Sequence, residues 1–290
     1  PRDRDMLNVL ARLPADYATL LDRHARRHGA LFNRVRLNLG GAAGPRRTTE
    51  ELLAASRSDS PDPALIELVF DAGRYNIISS TGELPPNLQG VWAGIYTPPW
   101  ASDYTHNGNL PCAIAANLMG HLPELMLAYV RYVESLVPHM EINARHLFGA
   151  RGIVLPSRTS THGYNNALAP DFAGGFWVAG AGWAAHVLYD YYQYTGDRSF
   201  LADHALPFME KVAQFFEDYL VEGPDGKWIF SPGQSPENTP ANSDSQGTFN
   251  ATMDVAVAKE LFRNLIAASR ELGCNREHIP RWERVLEKMP

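Results

Sequence analysis

The sequence predicts an all-α fold, on three observations. Apolar residues recur at helical spacing in one segment after another, as at Phe208, Val212, Phe215, Phe216 and Tyr219. Segment starts carry helix-entry residues, among them Thr48, Thr49 and the pair Asp62-Pro63. Strict apolar/polar alternation, the mark of a half-buried strand, is scarce from Pro61 onward.

Taken in order, the first 60 residues read as a helical lead-in. Ala15 to His28 carries Leu20 and Leu21 among charges, and Thr48 or Thr49 can cap a short helix through Ala55. From Asp62-Pro63 a helix sets Leu65, Val69 and Phe70 on one face and ends near Gly73. A second runs from about Pro123 to Leu147, interrupted near Pro138, which lacks the amide a continuous helix needs. A third spans about Phe176 to Tyr194; its run of Ala and Gly from Ala179 to Ala185, broken by Trp183, lets another helix approach closely. Gly196-Asp197 turns the chain, and helices follow over Asp203 to Leu220, Asn250 to Leu272 and Arg276 to Met289. That makes about six long helices able to pair as hairpins.

Two segments escape this pattern. SPGQSPENTP, Ser231 to Pro240, has prolines at 232, 236 and 240, which fix φ three times and remove three donors, so the segment joins neither flanking helix. It presents Glu237 as a candidate acid with Asn238 beside it, and Trp228 and Phe230 just upstream are expected to shield that carboxyl from water. The other reading is a solvated surface glutamate. Leu84 to Leu110 has four prolines, two tryptophans and no clear period, over a length at which ordered loops tend to be functional. Its end packs Asp103, Thr105, His106, Asn107 and Asn109 close to Trp92 and Trp100. Aromatic faces beside planar amides suit a sugar ring, whose C–H faces stack and whose hydroxyls need donors and acceptors together. An Asn/Gly turn over tryptophans that serve only as core is the alternative. Asp254, in the first turn of a helix, either faces the site behind Glu237 or complements the helix dipole.

Composition narrows the partners. At 290 residues, 45% apolar and 20% charged, the chain can bury a substantial core. A net charge of −6 and the lack of any basic block longer than RRH (26–28) or PRR (45–47) argue against nucleic acid. No apolar span reaches the length of a membrane helix. Cys112 and Cys274 show no metal spacing, His106, His162 and His186 fit no zinc motif, and the glycines form no phosphate or dinucleotide loop, so no metal and no cofactor are expected.

The ordered set GRYNIISS (73–80), LPPNLQGVW (84–92), PPWASDYTHNGN (98–109), ESLVP (134–138), ARHLFGARG (144–152), YTGDRSFL (194–201) and SPEN (235–238) resembles glycoside hydrolase family 95, the inverting 1,2-α-L-fucosidases and their α-L-galactosidase relatives. The resemblance runs from about Tyr17 to the last residue. It implies an (α/α)6 barrel, incomplete here with about half of its helices, with residues 1–60 as a helical linker region and 61–290 as the N-terminal part of the catalytic barrel. It also implies that Glu237 is the general acid, that Asn107 and Asn109 hold the attacking water, and that Trp100, Asp103, Thr105, His106 and Asn238 contact substrate. A glycan or oligosaccharide is the implied partner, together with the remainder of the barrel, in a secreted or periplasmic setting. The family's β-sandwich and its base aspartate, in a D-G-N-F-G-like motif, are expected outside this chain. If the chain holds its own base, Asp103, Asp171 and Asp254 are the acids to examine. A carbohydrate-binding or inactive barrel fragment without turnover is the competing expectation.

Departures from the family pattern bear on substrate. Thr105 stands where many fucosidases have histidine, Leu110 to Ala113 replace an M-N-Y-W-like run, and Ser160-Thr161-His162 replace a D-x-W-G-like contact. L-galactose is L-fucose with a hydroxyl on C6, and a threonine leaves room for that oxygen where a histidine crowds it.

Overall fold

The computed structural model describes residues 2–41, 47–56, 60–165 and 173–290; Asp171 lies outside them. The chain divides into two compact units, residues 1–81 with 119–122, and residues 82–118 with 123–290.

The first unit holds α1 (Arg2–Ala11), α2 (Tyr17–Phe32), α3 (Thr49–Ala55) and α4 (Pro63–Ser80). Each of the last three starts where the sequence supplies an acceptor for orphan amides. Asp16 accepts from Ala18 and Thr19, Thr48 and Glu51 form a reciprocal capping box, and Asp62 accepts from Ala64 ahead of Pro63 in the first turn. α4 does not end at Gly73 but runs on to Ser80. A helical glycine costs only about 1 kcal/mol relative to alanine, and the turns beyond it are anchored: Ile78 is buried, and the buried Arg74 guanidinium donates to the carbonyls of Gly120 (2.6 Å), Leu31 (3.0 Å) and Phe32 (3.1 Å). The last two lie in the final turn of α2, where a cation meets the negative end of the helix dipole. Val69, expected on the packed face of α4, is 62% exposed.

The second unit holds α5 (Asn109–Ile114), α6 (Pro123–Ser135), α7 (Val137–Phe148), α8 (Gly180–Thr195), α9 (Arg198–Phe200), α10 (Leu206–Tyr219), α11 (Thr252–Leu272) and α12 (Ile279–Glu287), with two short antiparallel pairs, β1 (Tyr104–Thr105) with β2 (Arg158–Thr159) and β3 (Val221–Glu222) with β4 (Trp228–Ile229). The break between α6 and α7 falls at Leu136, because Pro138 in the first turn of α7 can take no donor role. α8 starts four residues later than its periodicity suggests; Gly174–Phe176 form a separate 3₁₀ turn. A Cβ on Gly180 would lie 2.2 Å from the Leu155 carbonyl oxygen and one on Gly182 would lie 2.5 Å from Val257 Cγ1, so the small residues of α8 are there because α11 and the 155 segment press against it. Between α9 and α10 one wide π turn, Leu201–Ala205, carries the helix direction through, so Asp203 starts no new helix.

α8, α10 and α11 pack mutually. Their shared core contains the fully buried Leu188, Phe215, Phe216 and Phe262, extended by Phe230 from the loop after β4. Each such side chain contributes about 1.5–3 kcal/mol by leaving water. This core leaves the loops at the helix ends free to carry polar side chains.

Candidate active site

Two of those loops meet at a cavity of about 690 Å³ lined by Leu88, Gln89, Trp100, Thr105, Asn107, Asn109, Ser157, Arg158, Pro236 and Glu237. The asparagines are held by backbone. β1 pairs Thr105 with Arg158, and just beyond it the amides of His106 (2.7 Å) and Asn107 (3.3 Å) both donate to the Ser157 carbonyl. Gly108 then leads into α5, of which Asn109 is the first residue. Among the described residues neither asparagine carboxamide has a protein partner, so both amides are free to bind whatever enters.

Trp100 reaches the cavity through an unusual backbone. Trp100, Ala101 and Ser102 have φ of 48°, 55° and 51°, a left-handed run that costs on the order of 1 kcal/mol or more per residue. The ring is 67% exposed, and it also lines an adjoining cavity of about 210 Å³ with Asp103, Arg158 and His162. Asp103 therefore faces the smaller cavity. Burial raises its carboxyl above the ordinary range, while the Thr105 hydroxyl, donating to Asp103 Oδ1 at 2.6 Å, and Arg158 at 3.7 Å pull it back. With its proton committed to Asp103, the Thr105 oxygen keeps its lone pairs for a donor from the cavity.

Glu237 is brought in from the opposite side by the proline loop. Tyr219 Oη donates to the Pro232 carbonyl at 2.8 Å, Gly233 and Thr248 exchange amide bonds of 2.7 and 2.8 Å, and Gln234 Nε2 donates to Gln246 at 2.9 Å. The expectation that Trp228 and Phe230 shield the carboxyl is not met. Trp228 Nε1 donates to the Val285 carbonyl and Phe230 is fully buried against Phe216 and Tyr219, whereas Glu237 is exposed.

Besides Asp103, which lines the smaller cavity, two expected substrate contacts line neither. His106 is 2% exposed: Nε2 shares a hydrogen with Thr159 Oγ1 at 2.8 Å, the ring stacks on Tyr132, and the Tyr132 hydroxyl completes the cluster by bonding Thr159 at 2.6 Å and the Ser160 carbonyl at 2.7 Å. Burial lowers this imidazole to about 3, so it is neutral and pins β1 to β2. Asn238 folds back on its own loop, its amide and side chain both bonded to Ser235. Conversely, Ser157, Arg158 and Gln89 line the cavity without having been singled out. Arg158 had one readable signal, an arginine in a weakly periodic segment, but its partner strand lies more than 50 residues away in sequence.

Among the described residues no group of three or more His, Cys, Asp or Glu could hold a metal ion, and no helix is long and apolar enough to cross a membrane.

Paired helices whose connecting loops converge on a polar cavity are the architecture of an (α/α)6 barrel, of which this chain forms an incomplete part. In agreement, it superposes on a solved structure described as "Putative kojibiose phosphorylase from human microbiome" with a TM-score of 0.57 over 83% of this chain and 37% of that one, at 12% identity, which speaks to fold alone. The chain belongs to glycosyl hydrolase family 95: residues 16–290 match the "Glycosyl hydrolase family 95 catalytic domain". Similar proteins include "Alpha-L-fucosidase 2" of Arabidopsis thaliana, 31% identical over 89% of this chain and 32% of that protein, and "Probable alpha-fucosidase A" of Aspergillus niger, 32% identical over 86% and 32%. The chain spans about a third of the length of these relatives.

Proposed function

We propose that this chain supplies the acid side of an inverting glycosidase acting on terminal α-linked L-fucose or L-galactose. The observation that carries the reading is the convergence of Glu237, Asn107 and Asn109 on one cavity despite more than a hundred residues between the acid and the amides. Glu237 protonates the departing glycosidic oxygen, and Asn107 and Asn109 hold a water for attack at the anomeric carbon from the opposite face. A carboxamide is a poor base, and Glu237 is the one carboxylate among the described lining residues, so the proton acceptor is sought outside that set. Inverting chemistry places it about 6.5–9.5 Å from the acid. Trp100 offers a face for the sugar ring and Arg158 a fixed donor beside it. Thr105, with free lone pairs, accepts from a C6 hydroxyl and favours L-galactose. Residues 1–60 act as a linker and 61–290 as the N-terminal part of the barrel.

The test is release of L-fucose and L-galactose from α-linked substrates by the intact protein and by residues 1–290 alone. Turnover by the intact protein and silence of the 290-residue chain are expected. Robust turnover by that chain would mean it holds its own base, and binding without turnover in both would favour a carbohydrate-binding role.

A further inference from the structure

Asp254 is a buried carboxyl that this chemistry leaves unused. It is the third residue of α11, 0% exposed, and neither carboxyl oxygen has a hydrogen-bond partner. An unpaired carboxyl in such a place costs stability that an apolar residue of similar size would not, so its presence calls for a local reason. Its neighbours supply one. Gly233 lies so close that a Cβ there would sit 2.7 Å from Asp254 Oδ2. The amides of Gln234 and of Ala179, the residue just before α8, pull on the carboxyl without reaching full hydrogen-bond geometry, and the carboxyl in turn acts on the Tyr219 hydroxyl that holds Pro232. Asp254 thus sits where the positive ends of α8 and α11 meet the root of the loop carrying Glu237. Gln234 is itself fully buried with its Oε1 unpartnered, and two residues later Pro236 and Glu237 line the cavity.

We infer that Asp254 is a positioning residue for Glu237, holding the Gly233–Gln234 segment against the two helix starts and so fixing the depth at which Glu237 enters the cavity. The inference rests on Glu237 being the general acid. Asp254 touches no substrate. It acts through two residues of backbone whose far end is stiffened by Pro236. Burial pushes its carboxyl up to about 8, so at neutral pH it is mostly a neutral acid, small enough to tuck beneath a glycine. The stored cost is of the kind found under functional loops, where local stability is given up for geometry.

A lost acid position has a kinetic signature that general destabilisation lacks. Protonation of the leaving group matters greatly for a sugar alcohol and little for an activated phenol, so the two substrate types separate. In the intact protein, Asp254→Asn should lower kcat on an α-L-fucosyl disaccharide by about 100-fold and on an aryl α-L-fucoside with a good leaving group by less than about tenfold, with KM little changed. Equal losses on both substrates, or none, would overturn the inference. Glu237→Gln, assayed beside it, reports on the acid assignment: a split there without one in Asp254→Asn sinks only the positioning role, while no split in Glu237→Gln removes the acid reading and this inference with it. Should Asp254→Asn not fold, Gly233→Ala carries the test, because its Cβ drives the loop off Asp254. The same split is expected in a protein whose circular dichroism is unchanged, and its absence overturns the inference.

Discussion

The two walls of the cavity are fixed by opposite means. The asparagine wall is a small sheet pinned by a neutral, hydrogen-bonded side-chain cluster, His106 with Thr159 and Tyr132, beneath β1 and β2, with His106 Nδ1 left without a partner. The acid wall is a proline loop without regular structure, seated on a carboxyl that has no hydrogen-bond partner. Burial acts on both buried groups in the same sense, against charge, and therefore moves them in opposite directions: His106 down to about 3, Asp254 up to about 8. The two walls thus rest on buried groups with opposed responses to pH.

The comparison breaks most sharply at Glu237. Replacing it with glutamine should lower kcat on a substrate with a poor leaving group by about 10²–10⁴-fold while sugar binding persists, and turnover within about tenfold of wild type would remove the acid from this wall. On the other wall, Asn107→Ala and Asn109→Ala should each cost roughly 100-fold in kcat, typical of a lost donor at a reacting centre. If both hold one water, the double variant loses less than the product of the single losses. Multiplicative losses would mean separate roles.

Stability separates the walls by sign. The Asp254 carboxyl binds its proton more tightly folded than unfolded, so its contribution is full below pH 3.8 and falls as pH rises through about 8. The His106 imidazole binds its proton less tightly folded, so its contribution is full above about pH 6.5 and falls as pH drops towards 3. Between pH 4 and 6.5 the two slopes oppose each other, and from 6.5 to 8 Asp254 acts without His106. Asp254→Asn should gain about 2 kcal/mol on wild type across that upper interval, at ~1.4 kcal/mol per pH unit, and should lose stability more steeply than wild type on acidification. Denaturant unfolding of both proteins at pH 5, 6.5 and 8 measures this, and parallel curves would refute the buried, proton-holding carboxyl. The smallest effect expected is on specificity: Thr105→His should shift the ratio of L-fucose to L-galactose turnover by about tenfold towards fucose, the order of one pocket contact.

Helix content and most helix starts were legible in the sequence because capping and 3.6-residue periodicity are local. Asp16, Thr48 and Asp62 cap where a side-chain oxygen next to a helical run must accept, whatever packs later. α4 outran its expected end at Gly73 because the anchor of its last turns, Arg74 on the carbonyls of α2 and Gly120, is tertiary. At the site, residue types alone marked Glu237, Asn107, Asn109, Thr105 and Trp100 as candidates, and their position in two non-helical segments followed from proline and from missing periodicity.

Which of those side chains share a cavity was decided by tertiary structure. The pairing of Thr105 with Arg158, followed by a turn over 106–108 whose first two amides donate to the Ser157 carbonyl, leaves Asn107 and Asn109 lining the cavity and His106 in the core, although all lie within a few residues. The shielding expected for Glu237 from Trp228 and Phe230 did not arise, since each found a stronger partner in the α10 and α12 region. Sequence determined the chemistry available to this chain, because side-chain identity is local. Which groups meet water and which are buried, as at Asp254, was set by contacts between segments far apart along the chain.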